Sequence, residues 1–275
     1  MLRSVYESFD KNVKRNRRVE ISGKNIVVTG GANGIGRALC ERFAKEGASR
    51  VTVVDLDEAN AAKVAESVGG KSFRVDVGSR SEIEALVKDV ESDAGPIDLF
   101  VSNAGIATPG GPEVSVDDWQ RIWDINVMAH INAANALLPS MLERGDGYLL
   151  NTCSAAGLLS QIGSAPYAVT KHAAVAFAEW LSITYGNRGV KVSVLCPQAV
   201  RTNMTAGTEN GGVAGVDGMI EPEELAEVTI KGLREEEFLI LPHEIVRKYY
   251  QRKGQDIDRW LAGMRRLADQ FTNPI

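Results

Sequence analysis

Two groups of residues in this chain have types and spacings that suit chemistry. Tyr167 and Lys171 are four residues apart, about one helical turn, so a phenol and an ammonium would share one helix face. An ammonium beside a phenol favours the phenolate, which suits proton transfer. The second group is the glycine-spaced turn from Thr29 to Gly36, which lets the backbone approach a phosphate at the start of a helix. The sequence therefore predicts a proton-transfer site beside a dinucleotide-binding turn.

Polar residues follow the β-rich runs that come after this turn. Asp55 lies about 20 residues beyond the last glycine, where a carboxylate would accept hydrogen bonds from an adenosine ribose, or would cap a helix or form a turn. Asp76 could hold an adenine amino group or cap a helix. Asn103 could line a ligand crevice or form a turn, and Ser154 could donate to a substrate oxygen or cap a turn. Taken singly, each residue leaves both interpretations open.

Other kinds of catalytic site have little support. His130 and His172 lie within helical patterns and His243 follows Pro242, so no Ser-His-Asp arrangement is indicated. Cysteine and histidine show no zinc-ligand spacing, and the acidic residues are spread over helix surfaces. Neither a metal site nor a catalytic carboxylate pair is expected.

Short β-rich runs alternate with helical patterns, which is typical of parallel βαβ units. Strands are predicted at 25–29, 50–55, 72–75, 99–102, 148–152, 191–195 and 238–241. Helices are predicted at 34–46, 57–68, 79–93, 117–144, 167–185 and 221–231, with a capping box of Ser79 and Glu82 opening the third. Seven strands cannot close an eight-stranded barrel. The pattern therefore favours a single-domain, doubly wound (Rossmann-like) parallel seven-stranded sheet with helices on both faces.

Three segments depart from this alternation. Residues 203–220 contain five glycines and two methionines, and we predict that they form a substrate lid. Residues 243–275 form a C-terminal helical extension whose interleaved basic residues are a solvated face or a partner site. Residues 1–21 form an N-terminal extension that packs on the domain or on a neighbouring subunit. The remaining residues, 22–275, are expected to be one domain.

Composition narrows the partners and the compartment. The chain has 275 residues, a net charge of −5 and a pI near 5.4, which give no global attraction for nucleic acid or anionic membranes. Cys40, Cys153 and Cys196 are far apart in apolar stretches, which indicates reduced, buried thiols. No apolar run is long enough to span a bilayer, and the basic N-terminus has no signal-peptide core. A cytoplasmic protein is expected.

In their order along the chain, these motifs resemble those of the short-chain dehydrogenase/reductase family. The matching series is Thr29-Gly30-x-x-x-Gly34-x-Gly36, Asp55, Asp76, Asn103-Ala104-Gly105, Asn126, Ser154 and Tyr167-x-x-x-Lys171. The resemblance covers about Ser22 to Leu241. One departure follows the sixth strand, where the family usually has Pro-Gly and this chain has Pro197-Gln198. Gln198 leaves the shape of the pocket floor open, but not the chemistry.

The resemblance implies an NAD-dependent oxidoreductase that interconverts a secondary alcohol and a ketone. Tyr167 would be the general acid/base, Lys171 would favour its phenolate and bind the nicotinamide ribose, Ser154 would stabilise the substrate oxygen, and Asn126 would hold a proton-relay water. Besides Tyr167 and Lys171, the implied cofactor-binding residues are Gly30, Asn33, Gly34, Ile35, Gly36, Asp55, Leu56, Asp76, Val77, Asn103, Ala104, Gly105, Pro197, Val200 and Thr202. Asp55 would repel the 2′-phosphate of NADP, so NAD is expected.

Substrate identity is less constrained by the sequence. The pocket would be formed by Ala155, Ala156, Gln161, Gln198 and Met204 with the rest of the lid, a mainly apolar set that suits a small to medium alcohol. The alternatives are a ketoreductase, a steroid or fatty-acyl specialist, and a catalytically silent dinucleotide-binding scaffold. The resemblance also implies a homodimer or homotetramer paired through the helices that begin near Asp117 and Tyr167.

Overall fold

The strands form one sheet in the computed structural model, which describes residues 19–272. They are β1 (Asn25–Thr29), β2 (Arg50–Asp55), β3 (Lys71–Arg74), β4 (Leu99–Ser102), β5 (Gly147–Thr152), β6 (Val190–Leu195) and β7 (Leu239–Ile240). Their order is β3-β2-β1-β4-β5-β6-β7, and every neighbouring pair is parallel. The seven-stranded parallel sheet is thereby confirmed. Most of the predicted N-terminal extension lies outside the described residues.

Helices cover both faces of this sheet. They are α1 (Gly34–Lys45), α2 (Glu58–Ser67), α3 (Arg80–Ala94), α4 (Val116–Trp123), α5 (Ala129–Arg144), α6 (Ala156–Leu159), α7 (Ala165–Tyr185), α8 (Pro222–Arg234), α9 (Ile245–Gln255) and α10 (Ile257–Thr272). Apolar residues of α1, α2 and α8 share one core cluster with the sheet, and those of α3, α5 and α7 share the other. The fold is doubly wound, as predicted.

The strand sequences explain this two-sided burial. Every residue of β1 and β5 is buried. In β1, Val27 belongs to the core cluster on one face, while Ile26 and Val28 belong to the cluster on the other. A strand buried on both faces has no polar side, so its sequence is a continuous apolar run, and this is why the parallel sheet could be predicted.

The predicted helix at 117–144 is wrong as a single regular helix. It is three consecutive segments, α4, a π-helical turn at Asp124–Met128, and α5. Asn126 lies in the π-helical turn and exchanges two side-chain hydrogen bonds with the backbone of Ile106. These tertiary bonds accompany the extra residue in the turn, and π-helical turns of this kind are frequent at functional sites.

Smaller corrections concern element ends. The helix that carries Tyr167 begins at Ala165 because Ser164 caps it, its hydroxyl accepting from the Tyr167 N–H. The third strand begins at Lys71, one residue earlier than predicted, and the seventh is only two residues long. The C-terminal extension is two helices that meet at Asp256. The capping box is half formed, because Ser79 caps α3 while the Glu82 carboxylate accepts from the Asp76 N–H.

The two edges of the sheet differ from its centre. The edge strand β3 has exposed Lys71 and Arg74 at its ends, and β7 consists of Leu239 and Ile240 alone. Both edges are therefore short, and one is charged.

The periphery adds two further observations. Within 19–272, no helix combines the length and the apolar character that crossing a bilayer requires. Cys40, Cys153 and Cys196 are free and buried, and burial raises the pKa of the Cys40 and Cys196 thiols. Buried protonated thiols are poor nucleophiles, so Cys40 and Cys196 act as small core residues.

Candidate active site

A cleft of about 360 Å³ lies at the carboxyl ends of the central strands, where open α/β sheets place their ligands. The sequence-predicted residues that line it are Gly30, Asn33, Gly34, Ile35, Asp55, Leu56, Asp76, Val77, Asn103, Ala104, Gly105, Ser154, Tyr167, Lys171, Pro197, Gln198, Val200, Thr202 and Met204. The chain thus brings together residues that are up to 174 positions apart in sequence, from Gly30 to Met204.

Five predicted residues do not line this cleft. Gly36 lies behind the turn and Asn126 is fully buried, while Ala155 and Ala156 belong to the core. Gln161 lies in a separate surface groove beside α10 and donates to the carbonyl of Ile162. Asn203 and Thr205 of the predicted lid line the cleft as well. The residues that the sequence did not predict are Val75, Ile106, Ile125, Thr152 and Cys153. Three of them, Val75, Thr152 and Cys153, adjoin predicted strand ends, which was the one available signal.

The glycine turn brings α1 close to β1. Gly30 and Gly34 have φ angles of +64° and +51°, which favour glycine. A Cβ at Gly36 would lie 2.0 Å from the carbonyl oxygen of Gly30, so only glycine fits at this position in the first turn of α1. Asn33 is the N-cap of α1, but its side chain accepts nothing from the first turn. The turn therefore presents a helix N-terminus to the cleft without a side-chain cap, an arrangement that suits a pyrophosphate.

Thr29 and Asn103 fix the floor beneath this turn. The Thr29 hydroxyl accepts from the N–H groups of Asn103 and Ala104 at 2.9 and 3.1 Å. The Asn103 side-chain amide donates to the carbonyls of Thr29 and Gly30 at 3.0 and 3.3 Å. These bonds tie the end of β1 to the end of β4, so the side chain of Asn103 is committed to holding the turn.

Asp55 does not cap the following helix. Its Oδ2 accepts from Ala32 N–H at 3.0 Å and its Oδ1 from Asp57 N–H at 3.1 Å, whereas Asp57 is the residue that caps α2. Asp55 therefore has the turn role that was one of its interpretations, and it lines the cleft at the end of β2. Asp76 likewise accepts from Gly78 N–H at 2.9 Å and leaves the capping of α3 to Ser79.

Ser154, Tyr167 and Lys171 all line the same cleft. Lys171 is buried, donates from Nζ to the carbonyl of Thr152 at 3.1 Å, and lies with Nζ 5.6 Å from the centre of the Tyr167 ring. An ammonium has three donors, and the described residues give this one a single hydrogen-bond acceptor. The Ser154 hydroxyl accepts from Ala156 N–H at 3.1 Å, which is a turn role, and donates to the carbonyl of Pro197 over a long 3.5 Å.

Asn126 supports the site from behind. Its Oδ1 accepts from Ile106 N–H at 3.0 Å, and its Nδ2 donates to the Ile106 carbonyl at 2.9 Å and to the Thr170 hydroxyl at 3.2 Å. Both amide hydrogens are therefore taken by protein acceptors. This side chain holds the segment after β4 against α7, the helix that carries Tyr167 and Lys171.

A buried histidine lies behind the lysine. His130 of α5 is fully enclosed beside the side chain of Asn151, and among the described residues neither ring nitrogen has a hydrogen bond of good geometry. Burial lowers the pKa of His130 to about 3, with the Lys171 charge as a smaller cause in the same direction. His130 is therefore neutral at physiological pH and adds no charge beside Lys171.

The predicted lid borders the cleft through Asn203, Met204 and Thr205. Its two ends are joined, because Val200 pairs with Ile220 in a β-bridge and Arg201 forms an ion pair with Glu221. Between them the loop contains a short 3₁₀ segment at Glu209–Gly215, in which Gly211 and Gly212 have positive φ angles. The loop therefore begins and ends at neighbouring positions just beyond the end of β6.

Comparison with known proteins agrees with this geometry. The family model described as short chain dehydrogenase matches residues 24–211. The chain is 40% identical over 191 residues to a 2,5-dichloro-2,5-cyclohexadiene-1,4-diol dehydrogenase of Sphingobium indicum, covering 67% of this chain and 76% of that protein. It is 33% identical over 253 residues to a 1-deoxy-11-beta-hydroxypentalenate dehydrogenase of Streptomyces exfoliatus, covering 89% of this chain and 92% of that protein.

A solved structure is also similar. It is a short chain dehydrogenase/reductase from Burkholderia phymatum in complex with NAD, with a TM-score of 0.79 and 27% sequence identity, and the match covers 87% of this chain and 96% of that one. The similarity extends over the sheet and the helices on both of its faces.

Proposed function

Since this chain belongs to the short-chain dehydrogenase family of oxidoreductases, we propose that it uses NAD to interconvert a secondary alcohol and a ketone. The observation that carries the proposal is the convergence of Ser154, Tyr167 and Lys171 on one cleft with the glycine turn and Asp55. A phenol, a buried ammonium and a hydroxyl are the groups that proton transfer to or from an alcohol oxygen requires. The turn and the carboxylate are the groups that a dinucleotide requires.

The catalytic roles follow from these contacts. Tyr167 is the general acid/base that takes the hydroxyl proton in oxidation and returns it in reduction. The Lys171 ammonium lies 5.6 Å from the centre of the Tyr167 ring, where a weakly screened cation stabilises the negative charge that develops during proton transfer. Ser154 donates a hydrogen bond to the substrate oxygen, while Asn126 keeps the segment after β4 in place and holds a relay water. NAD, when bound, supplies the acceptor for the hydride.

The cofactor preference rests on charge. Asp55 lines the cleft at the end of β2 and is the residue that we assign to the adenosine ribose, and Leu56 beside it carries no charge. Among the described residues that line the cleft, the one basic side chain is Lys171, which is bonded to β5. A 2′-phosphate on the ribose would meet a carboxylate and no compensating cation, so NADP is disfavoured. The NAD bound to the Burkholderia phymatum neighbour supports the same choice.

The substrate side is mainly apolar. Of the residues outside the implied cofactor set that line the cleft, Met204 and Ile106 are apolar and Gln198 is polar, which suits an alcohol of small to medium size. The names of the two relatives, a cyclic diol dehydrogenase and a hydroxypentalenate dehydrogenase, also favour an alcohol on an apolar skeleton. We place Ala155, Ala156 and Gln161 outside the substrate-binding set.

The test is turnover of NAD and NADP, followed at the nicotinamide absorbance, with a panel of secondary alcohols and their ketones. Oxidation of at least one alcohol with NAD supports the proposal. Binding of NAD without turnover of any alcohol or ketone would instead favour a silent dinucleotide-binding scaffold. Turnover confined to the ketones would favour a ketoreductase.

We also propose a homodimer or homotetramer in the cytoplasm. Of the two helices predicted to pair, the one that carries Tyr167 keeps Ala174 and Leu181 in the core, so these two residues cannot belong to the pairing face. The exposed apolar residues of this helix are Val169, Trp180 and Ile183, the last 82% exposed. Large apolar side chains grouped on one exposed helix face are typical of subunit contacts. Light scattering at micromolar concentration is expected to give a mass of two or four chains, and a monomer would contradict this.

A further inference from the structure

Gln198 is the residue at which this chain departs from the family motif. Its hydrogen bonds fix the direction of its side chain. Its backbone N–H donates to His243 Nδ1 at 3.2 Å, and its side-chain Nε2 donates to Asp217 Oδ2 at 2.9 Å. Gln198 lines the cleft together with Ser154 and Tyr167. A side chain on the floor of the cleft is therefore bonded to the predicted lid, to which Asp217 belongs.

Asp217 has a second partner on the C-terminal extension. Its Oδ1 accepts from the Tyr249 hydroxyl of α9 at 2.9 Å. An ionised carboxylate can only accept, so both partners must donate, and this assigns the Gln198 amide with its nitrogen toward Asp217. Burial and the Asp217 carboxylate raise the pKa of Tyr249, so the phenol keeps the proton that it donates.

The C-terminal residues that bond to Gln198 and Asp217 are themselves held by the core. In α9, Val246 is fully buried in the core, and Tyr249 packs against Trp260 of α10 with ring centres 6.2 Å apart. Burial lowers the pKa of His243, which keeps it neutral so that its Nδ1 can accept from Gln198. Asp217, His243 and Tyr249 all lie beyond residues 24–211, the part that the family model matches. The partners of Gln198 thus belong to the part of the chain outside that match.

We propose that Gln198, Asp217 and Tyr249 form a hydrogen-bonded chain through which the C-terminal extension positions the lid against the floor of the substrate pocket. Asp217 and Tyr249 are positioning residues that need not touch the substrate. The inference rests on the proposed function, because it assigns the specificity of that same site. Breaking the chain should loosen the lid and weaken substrate binding, while the glycine turn and Asp55 continue to bind the cofactor.

The first experiment is Tyr249→Phe, with Tyr250→Phe as the matched control. Tyr250 is the next residue and 42% exposed, so its hydroxyl is not part of this chain. Because Asp217 is exposed, the lost bond is worth about 0.5 to 1.5 kcal/mol, which corresponds to a substrate KM roughly two- to tenfold higher. We expect kcat within about twofold of wild type, an unchanged Kd for NAD, and no change in Tyr250→Phe. An unchanged KM in Tyr249→Phe would overturn the inference.

The second experiment needs no turnover. Amide hydrogen exchange over residues 203–220 is expected to be faster in Tyr249→Phe and in Asp217→Ala than in wild type or Tyr250→Phe, and the double variant should be no faster than Asp217→Ala. Equal exchange in all proteins would overturn the inference whether or not the enzyme oxidises an alcohol. A wild type that turns over nothing, with faster lid exchange in the variants, would reject the proposed function and leave the positioning chain intact.

Discussion

The nucleotide side and the substrate side of the cleft are held together by different kinds of contact. On the nucleotide side, the side chains of Thr29 and Asn103 bond to backbone groups of the neighbouring strand end, and Gly36 allows α1 within van der Waals distance of the turn. On the substrate side, the lid is bonded to the floor through Gln198 and Asp217, two side chains. Bonds to backbone groups fix the path of the chain at the glycine turn, whereas a bond between two side chains needs both residues to be of the right type. The turn is thereby held through backbone groups, while the position of the lid depends on the identity of Gln198 and Asp217.

The largest effect is expected from Tyr167→Phe, which tests whether proton transfer can be lost while cofactor binding is kept. General acid/base transfer contributes about 10² to 10⁴-fold, so kcat should fall by that factor while NAD affinity stays close to wild type. Tyr185→Phe, at the far end of the same helix, is the control and should retain activity. A Tyr167→Phe enzyme with more than about a tenth of wild-type activity would remove Tyr167 from its role.

The next largest effect concerns Asp55. Replacing Asp55 with Ser and Leu56 with Arg removes a repulsive charge and supplies a phosphate partner, so both contributions to the preference for NAD reverse. Charged hydrogen bonds are worth about 1.5 to 3 kcal/mol each, which shifts relative kcat/KM by roughly one to two orders of magnitude per bond. The measurement is kcat/KM for NAD and NADP with one alcohol. A wild type that uses both cofactors equally would mean that Asp55 only holds its turn.

Gly36→Ala tests whether the nucleotide side tolerates a side chain in the first turn of α1. A methyl group there would lie 2.0 Å from the Gly30 carbonyl, so the backbone must move, at a cost of about 1 to 3 kcal/mol in the free energy of unfolding and a loss of NAD affinity. Gly254→Ala in α9 is the matched control, since no atom lies within 4 Å of a Cβ there, and it should gain roughly 1 kcal/mol from helix propensity. Equal stability of the two variants would show that the turn has room to spare.

The pH dependence of the free energy of unfolding tests the burial of His130 behind Lys171. The folded protein keeps His130 neutral down to a pKa of about 3, whereas the unfolded chain takes up a proton below about 6.5. Stability is therefore fully present above pH 6.5 and falls as the pH drops toward 3, by up to about 1.4 kcal/mol per unit. His130→Leu should reduce this slope with little change at pH 7. Urea unfolding at pH 7 and pH 5 gives the slopes, and identical ones would exclude His130 as the cause.

The smallest effect is kinetic and concerns the lid of the wild type. Residues 203–220 should exchange amide hydrogens faster than β1 and α1 in the free enzyme, and should slow when NAD and an alcohol are both present. Equal protection of the two regions in the free enzyme would contradict the difference between the nucleotide side and the substrate side of the cleft.

Much of the fold could be predicted from the sequence because its signals are local. Strands buried on both faces are continuous apolar runs, and the glycine turn has its spacing within eight residues. The π-helical turn at Asn126 could not be predicted, since it accompanies hydrogen bonds to Ile106, twenty residues away. Helical periodicity carries no information about such tertiary bonds.

The candidate site divides in the same way. Residues at strand ends, such as Asp55 and Ser154, were found because the carboxyl ends of parallel strands meet at one edge. Ala155, Ala156 and Gln161 were assigned to the pocket although they point elsewhere, because the direction of a side chain in a short irregular segment is set by packing. Tyr249 had no signal at all, since a tyrosine on an amphipathic helix is ordinarily a packing residue.

The short edge strands have a consequence for the protein at high concentration. An open sheet exposes unpaired backbone groups at its edges, and a neighbouring molecule can add a strand there and begin an ordered aggregate. At one edge β3 is four residues long and has charged side chains exposed at both ends, Arg74 and Lys71, the latter paired with Asp93, and charged residues on a short edge strand disfavour an added strand. At the other, β7 offers only Leu239 and Ile240, too few residues for a stable added strand. The architecture thus protects a strongly apolar sheet from polymerising through its own backbone.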